Sequence, residues 1–148
     1  MLNEHGHVCE GSVENVFIVR GGVVVTPPLT DDVLEGFTRA TVMHLLREDL
    51  GQTVIERSID RTELYLADEM FLTGTGAEIA AVTRVDHRAI GDGRIGPIVS
   101  TLRTRYFDTV YGRVAKYREW CRPVYAGADE ALPSVKPTSP AVRHAAAR

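Results

Sequence analysis

The sequence predicts a mixed α/β (α+β) fold in which helices flank a mixed sheet. Short runs rich in β-branched and aromatic residues are separated by glycine or proline, a pattern typical of about five strands. Two longer segments carry apolar residues at helical spacing. The chain has 148 residues, of which 44% are hydrophobic and 25% charged, enough for one domain with a buried core. Together these observations favour a sheet that helices cover on at least one face.

The predicted strands begin with a β-hairpin formed by residues 15–19 and 23–26. Residues 20–22 (RGG) supply the turn between the two apolar runs. Pro27 and Pro28 cannot donate to a ladder, so they end the second strand. Further strands are predicted at residues 54–59, 69–73, 79–85 and 89–90, with the last two joined across Asp86 and His87, and a short helical turn at residues 62–67.

Two amphipathic helices are predicted. Thr30, Asp31 and Asp32 are residue types that favour a helix start, and apolar residues then recur at helical spacing from Gly36 to Gly51. The second helix begins at Pro97, whose missing N–H would have been unpaired there in any case, and it ends before Pro123. Its expected apolar face consists of Ile98, Leu102, Tyr106, Val110 and Val114.

The composition of the last residues differs from the rest. Residues 126–148 are rich in proline, alanine and serine and lack an apolar period, so we expect a mobile tail. Residues 1–125 are then the folded part. Cys9 and Cys121 are too few and too far apart for a disulfide framework, and we expect both to be reduced thiols.

Charge and hydropathy exclude several classes of partner. A formal net charge of -3 disfavours nonspecific nucleic-acid binding, which requires basic surface. No apolar run approaches the roughly 20 residues of a membrane span, and the first residues lack the features of a secretory signal. We therefore expect a cytoplasmic protein with neither nucleic-acid nor membrane partners.

Two patterns suggest ligands but have simpler interpretations. Residues 91–96 (GDGRIG) satisfy the G-x-G-x-x-G pattern of dinucleotide-binding loops. No βαβ unit precedes them, and Asp92 lies where a diphosphate would approach, so we predict a tight turn before the last helix. His5 and His7 have no third ligand nearby in the sequence, so no metal site is expected.

Three further motifs lie in order along the chain: residues 10–17 (EGSVENVF), 34–39 (LEGFTR) and 73–78 (TGTGAE). In order and spacing they resemble motifs of the class IV pyridoxal-phosphate aminotransferases, and the likeness is closest to the branched-chain amino-acid aminotransferases. Residues 92–97 (DGRIGP) and 117–120 (YREW) extend the resemblance from about residue 6 to residue 124. The resemblance implies part of the large domain of the D-amino-acid aminotransferase-like fold, with pyridoxal 5'-phosphate as cofactor.

Glu10 is the residue that the resemblance places against the pyridine ring of the cofactor. Pyridoxal phosphate is an electron sink only while its ring nitrogen is protonated, which requires an anion beside that nitrogen. A carboxylate next to a cation keeps both groups ionised. The simpler alternative for Glu10 is a surface acid in a turn before the first strand.

The other motifs supply the expected contacts with phosphate and substrate. Phe37 and Thr38 begin a helix, where unpaired N–H groups and the helix dipole favour an anion, and the resemblance places the phosphate there. The resemblance also implies that Thr75 contacts the phosphate and that the amides around Thr75 and Gly76 bind the substrate carboxylate. Gly76 stands where the family usually has alanine, Val13 where it often has glycine, and Phe37 where it often has isoleucine.

The resemblance also implies a lysine that forms a Schiff base with the cofactor. The chain has two lysines, Lys116 and Lys136, and neither lies in a cofactor motif. In the family this lysine precedes the motif that contains Glu10, so we expect no catalytic lysine in this chain and little transamination by the chain alone. A missing N-terminal half or a homo-oligomer is the expected partner, besides an amino acid and a 2-oxo acid in the complete enzyme.

Two alternatives remain open from the sequence. One is a noncatalytic domain that binds a partner or a phosphorylated ligand. The other is a relative of the D-amino-acid aminotransferases or of the aminodeoxychorismate lyases, which residues 10–15 and 117–120 disfavour.

Overall fold

The computed structural model describes residues 1–122, and it confirms the mixed α/β fold class. The described residues fall into two units, residues 1–108 and the residues from 109 onward. Strands and helices follow in the order β1 (Asn15–Arg20), β2 (Val23–Thr26), α1 (Phe37–Glu48), β3 (Val54–Glu56), β4 (Glu69–Gly74), β5 (Glu78–Val82), β6 (Arg84–Val85), β7 (Arg88–Ala89) and α2 (Pro97–Val110). Short 3-10 helices occupy Leu29–Asp31, Arg61–Leu66 and Ala115–Trp120. The predicted tail at residues 126–148 lies outside the described residues.

The main sheet has five strands in the order β3-β2-β1-β4-β5. β2 and β3 pair in parallel, whereas the other neighbours pair antiparallel, so the sheet is mixed as predicted. The hairpin of β1 and β2 also forms as predicted. This pairing brings the start of β1, the end of β2, the end of β4 and the start of β5 to one edge of the sheet.

Both faces of the central strands β1, β2 and β4 are largely buried. One face packs against a cluster that contains Val16, Ile18, Val25 and Met70. Because side chains alternate along a strand, Phe17 and Phe71 point to the other face, where their rings stack with centroids 4.8 Å apart. α1 lies on that second face and contacts β4. The core on the two faces therefore fixes the strand ends that meet at the edge formed by the start of β1 and the end of β4.

Two strand predictions were too long. The strand predicted at residues 54–59 ends at Glu56, because the chain turns there to bury Ile59, whose carbonyl accepts a hydrogen bond from Val8 N at 2.8 Å. The strand predicted at 79–85 splits into β5 and β6, and the Thr83 carbonyl between them accepts a bond from Ile90 N at 3.0 Å. Asp86 and His87 form the predicted turn, both with positive φ.

The helix predictions need two corrections. Thr30 and Asp31 belong to a 3-10 turn, and Asp32 follows it in a left-handed conformation. These residues do not cap α1, whose N-cap is Gly36. α2 ends at Val110 instead of near Pro123, because a turn follows at residues 111–112, where Gly112 has a φ of +67° and its N–H donates to Thr109 O.

Glu69 explains the glycine pattern before α2. Its side chain is 7% exposed, and its two carboxylate oxygens accept hydrogen bonds from Ile98 N at 3.0 Å and Val99 N at 2.8 Å. A Cβ on Gly96 would overlap this carboxylate, and a Cβ on Gly91 would overlap the carbonyl of Asp68. The N-terminus of α2 therefore binds the carboxylate of Glu69. Gly91 and Gly96 allow the backbone to pack closely against Asp68 and Glu69, in agreement with the predicted tight turn.

We expect Glu69→Gln to lower the free energy of unfolding by about 1–3 kcal/mol, because the amide loses the charge at the helix N-terminus and replaces one of the two acceptor oxygens by an N–H donor. Urea denaturation at pH 7 measures the change. Glu4→Gln, which neutralises an exposed acid, is the control and should be nearly neutral. An unchanged midpoint for Glu69→Gln would show that this carboxylate does not stabilise α2.

Glu63 of the second 3-10 helix joins two arginines. Its Oε1 lies 3.2 Å from Arg20 Nη1 and 2.5 Å from Arg57 Nη2. The hydrogen bond from Arg57 lowers the pKa of Glu63 below its usual 4.5; partial burial opposes this change, and the bond from Arg20 adds to it. The ion pairs therefore stabilise the fold above the unfolded-state pKa and are lost as the pH falls through the folded-state pKa.

We expect Glu63→Gln to reduce the acid sensitivity of the fold. Between about pH 5 and pH 3 the native chain should lose more unfolding free energy than the variant, since only the native chain must protonate a paired carboxylate. Urea denaturation at pH 7, 5 and 3 gives both slopes. Equal slopes would contradict the assigned pairing.

Candidate functional site

The three motifs that suggested a cofactor meet at one edge of the main sheet. The segment of residues 7–14 enters β1, residues 27–36 lead from β2 into α1, and residues 75–77 link β4 to β5. Two of these segments approach closely, because a Cβ on Gly74 would lie 2.9 Å from the carbonyl oxygen of Val13. Glycine at position 74 thus allows the first motif to cross the end of β4.

Glu10 is half-buried at this edge. Its Oε2 accepts a hydrogen bond from Leu34 N at 2.9 Å and a longer one from Asn15 Nδ2 at 3.4 Å. Among residues 1–122, no donor bonds to the second oxygen, Oε1. The carboxylate is therefore anchored through one oxygen and offers the other as an acceptor.

The start of α1 has no side-chain cap. Gly36 is the N-cap and forms no side-chain cap bond, and the first helical bond runs from Ala40 N to Gly36 O at 3.0 Å. The N–H groups of Phe37 and Thr38 thus have no partner within the helix. Phe37 is 92% exposed. The group of Phe37 that is expected to bind phosphate is its backbone N–H.

Thr75 and Gly76 are exposed in the three-residue turn between β4 and β5. A Cβ on Gly76 would meet nothing within 4 Å, so the local structure also accommodates the alanine that is usual in the family. Glu78 closes the turn with a φ of +54°. Within the described residues, neither Thr75 nor Gly76 forms a hydrogen bond with Glu10; the approach of Val13 to Gly74 is what links the two segments.

Asn15 and Leu34 are site residues that the sequence did not single out. Asn15 is 4% exposed, and its Nδ2 donates to Leu34 O at 2.9 Å. Leu34 is 70% exposed, although both of its backbone polar groups are bonded within this cluster. A polar residue at the start of an apolar strand was the available signal for Asn15, whereas nothing local marked Leu34.

Tyr106 of α2 is buried next to Thr38. Burial raises the pKa of the Tyr106 hydroxyl; the charge of Glu78 adds to this, and the hydrogen bond with the Thr38 side chain opposes it. Thr38 and Tyr106 therefore lie close together. The hydroxyl of Thr38 is held near the start of α1.

The remaining candidate ligands are placed as follows. His7 Nδ1 lies 3.0 Å from Asp60 Oδ1, and residues 1–122 contain no group of three or more potential metal ligands. Lys116 belongs to the second unit, with its Nζ 4.7 Å from the ring centroid of Tyr117, and Lys136 lies outside the described residues.

No helix within the described part is long and apolar enough to cross a membrane.

Gly36→Ala tests the packing of this site. A Cβ at this position would overlap Asn15 Oδ1, so we expect the substitution to displace Asn15 and to destabilise the chain by about 1–3 kcal/mol. The control is Gly76→Ala, which adds the same methyl group in open space and should change stability by less than about 0.5 kcal/mol. Thermal unfolding of both variants measures the difference, and equal effects would contradict the described packing.

Comparison with known proteins identifies the family. The model of the class IV amino-transferases matches residues 1–85. A probable branched-chain-amino-acid aminotransferase of Aquifex aeolicus is 49% identical over 125 residues, which cover 84% of this chain and 40% of that protein.

Solved structures of branched-chain aminotransferases also match this chain. The branched-chain amino acid aminotransferase from Thermobaculum terrenum, in its PLP-form, has a TM-score of 0.82 and 49% identity, over 85% of this chain and 41% of that one. The T.th. branched-chain amino acid aminotransferase complexed with N-(5'-phosphopyridoxyl)-L-glutamate has a TM-score of 0.78 and 43% identity, over 81% of this chain and 40% of that one.

The chain belongs to the class IV aminotransferases, because the family model covers more than half of its residues. The relatives named above are all branched-chain aminotransferases, so the resemblance inferred from the three motifs is confirmed. The chain spans about two fifths of the length of these relatives.

Proposed function

We propose that this chain forms part of the cofactor site of a branched-chain amino-acid aminotransferase, and that pyridoxal 5'-phosphate is the cofactor. The complete reaction moves the amino group of leucine, isoleucine or valine to 2-oxoglutarate. Family membership supports the reaction class, and the PLP-form and phosphopyridoxyl complexes of the relatives support the cofactor. Because the chain spans about two fifths of these relatives, the reaction is proposed for a protein that includes the rest of their length.

The observation that carries the proposal is the bond between Glu10 Oε2 and Leu34 N. Leu34 precedes the uncapped start of α1 at Phe37 by three residues, which reach at most about 11 Å when extended. An acceptor for a ring N–H and an anion-binding helix end are thus tied to one short segment. This arrangement fits one small aromatic phosphate.

The residues of the chain fit the chemistry of the cofactor. When bound, pyridoxal phosphate supplies an electron sink whose strength depends on a protonated ring nitrogen. Glu10 Oε1, which has no donor among the described residues, would accept the hydrogen bond from that nitrogen and hold its proton in place. Leu34, exposed beside Glu10, would offer apolar surface to the ring.

The phosphate and the substrate carboxylate need N–H and hydroxyl donors. The amides of Phe37 and Thr38 would bind phosphate at the start of α1, assisted by the dipole of a 12-residue helix. The hydroxyls of Thr38 and Thr75 would add donors, and the amides near Thr75 and Gly76 would orient the substrate carboxylate. Each of these groups positions a ligand, and none of them needs to carry a proton during the reaction.

Binding of pyridoxal 5'-phosphate to the full chain tests the proposal. We expect Glu10→Gln to weaken binding by about 10- to 100-fold, because a charge-assisted hydrogen bond is lost. The quenching of protein fluorescence or the absorption of the ligand measures the dissociation constant. Glu4→Gln, with the same change in charge at an exposed site, should bind like the native chain.

Two results would contradict the proposal. If Glu10→Gln binds as tightly as the native chain, Glu10 does not face the ring. If inorganic phosphate and pyridoxal 5'-phosphate bind equally well, the chain selects phosphate alone, as the alternative of a noncatalytic domain for phosphorylated ligands predicts.

A further inference from the structure

We infer that Asn15 is a positioning residue that fixes the Glu10 carboxylate relative to the start of α1. The expected effect of Asn15 on ligand binding rests on the proposed function, whereas its contacts with Glu10 and Leu34 are observed directly. Asn15 is almost completely buried at the first position of β1. Its side chain bonds both to Glu10 of the first motif and to Leu34 of the second.

The side-chain amide of Asn15 faces two acceptors. One side-chain N–H donates to Leu34 O at 2.9 Å, and the same nitrogen lies 3.4 Å from Glu10 Oε2. The shorter bond is the stronger one. Asn15 therefore holds the peptide of Leu34 firmly and the carboxylate of Glu10 more weakly.

Leu34 passes this constraint to Glu10. Its N–H donates to Glu10 Oε2 at 2.9 Å, while its carbonyl accepts hydrogen bonds from Asn15 Nδ2 at 2.9 Å and from Gly36 N at 2.9 Å. Fixing the carbonyl side of the residue limits the directions in which its N–H can point. The Glu10 carboxylate is thus held mainly through Leu34, a residue that the buried side chain of Asn15 and the N–H of Gly36 together hold in place.

The oxygen of the Asn15 side chain faces Gly36. The Asn15 Oδ1 lies where a Cβ of Gly36 would be, so the amide is packed against the N-cap of α1. The backbones of Glu10 and Asn15 also pair as an isolated antiparallel bridge. One side chain thereby contacts the acid, the loop and the helix start, and the two ends of the proposed ligand site share one rigid element.

The ligand-free arm of the test uses NMR of the isotope-labelled full chain. In the native protein, the Leu34 amide should exchange slowly with solvent and its shift should follow the titration of the Glu10 carboxyl carbon. In Asn15→Ala the Leu34 amide should exchange about tenfold faster or more and should no longer follow Glu10. Asn15→Asp, which keeps the side-chain size but lacks the N–H donor, should give the same faster exchange.

The control for the ligand-free arm is Thr26→Val. Thr26 is buried at the same edge of the sheet and its hydroxyl donates to Val16 O at 2.8 Å, so this variant loses a comparable hydrogen bond without touching Glu10 or Leu34. It should keep the Leu34 signature. If both Asn15 variants keep the slow exchange and the coupling to Glu10, the inference is overturned regardless of ligand binding.

The ligand arm uses 4'-deoxypyridoxine 5'-phosphate, which carries the ring nitrogen and the phosphate but no aldehyde, and inorganic phosphate as the second probe. Asn15→Ala should weaken binding of the ring-containing probe about tenfold and change inorganic phosphate by less than about twofold. Combined with Glu10→Gln it should add no further loss, because Asn15 acts through Glu10. Additive losses, or equal losses for both probes, would overturn the inference.

The two proposals fail differently. If the native chain binds the ring-containing probe no better than inorganic phosphate, the proposed function fails, and the ligand-free arm still decides the role of Asn15. If the native chain binds the ring-containing probe and Glu10→Gln weakens it but Asn15→Ala does not, the proposed function stands and the positioning role is excluded.

Discussion

The hydrogen bond from Leu34 N to Glu10 Oε2 is the interaction on which the candidate site depends. It joins residues 24 positions apart, across the edge of a sheet whose strand order brings both segments to the same end. Without it, Glu10 would be one acid in a loop with no direct link to the segment that leads into α1. With it, a carboxylate oxygen and an uncapped helix start lie at the two ends of one short segment.

The two long helices show how the same physical demand is met in different ways. A helix start carries unpaired N–H groups and a partial positive charge, so it favours an anion. At α2 the chain supplies that anion itself, through the buried carboxylate of Glu69. At α1 the N-cap is Gly36 and no side chain caps the helix, which leaves its N–H groups available to a ligand. The glycine pattern that resembles a nucleotide loop lies before α2, whose first N–H groups are bound by Glu69. The helix whose first N–H groups lack a side-chain cap is α1.

Local sequence signals predicted much of the fold and failed where distant residues decide. The β-branched runs predicted the hairpin of β1 and β2, and apolar spacing predicted α1, because these elements form from neighbouring residues. The early end of the strand at Glu56 depends on burial of Ile59. The bond between Asn15 and Leu34 spans 19 positions, and the bond between Glu69 and Ile98 spans 29. The roles of Glu10, Phe37, Thr38, Thr75 and Gly76 came from motif resemblance, and they stay predictions.

The most direct measurement of the central claim is ¹⁵N NMR of pyridoxal 5'-phosphate labelled at the ring nitrogen and bound to the full chain. A ring nitrogen bonded to Glu10 should stay protonated at pH values where the free ligand has lost its proton, since the carboxylate stabilises the charged form. A bound ligand whose ring nitrogen titrates as in free solution would contradict the account.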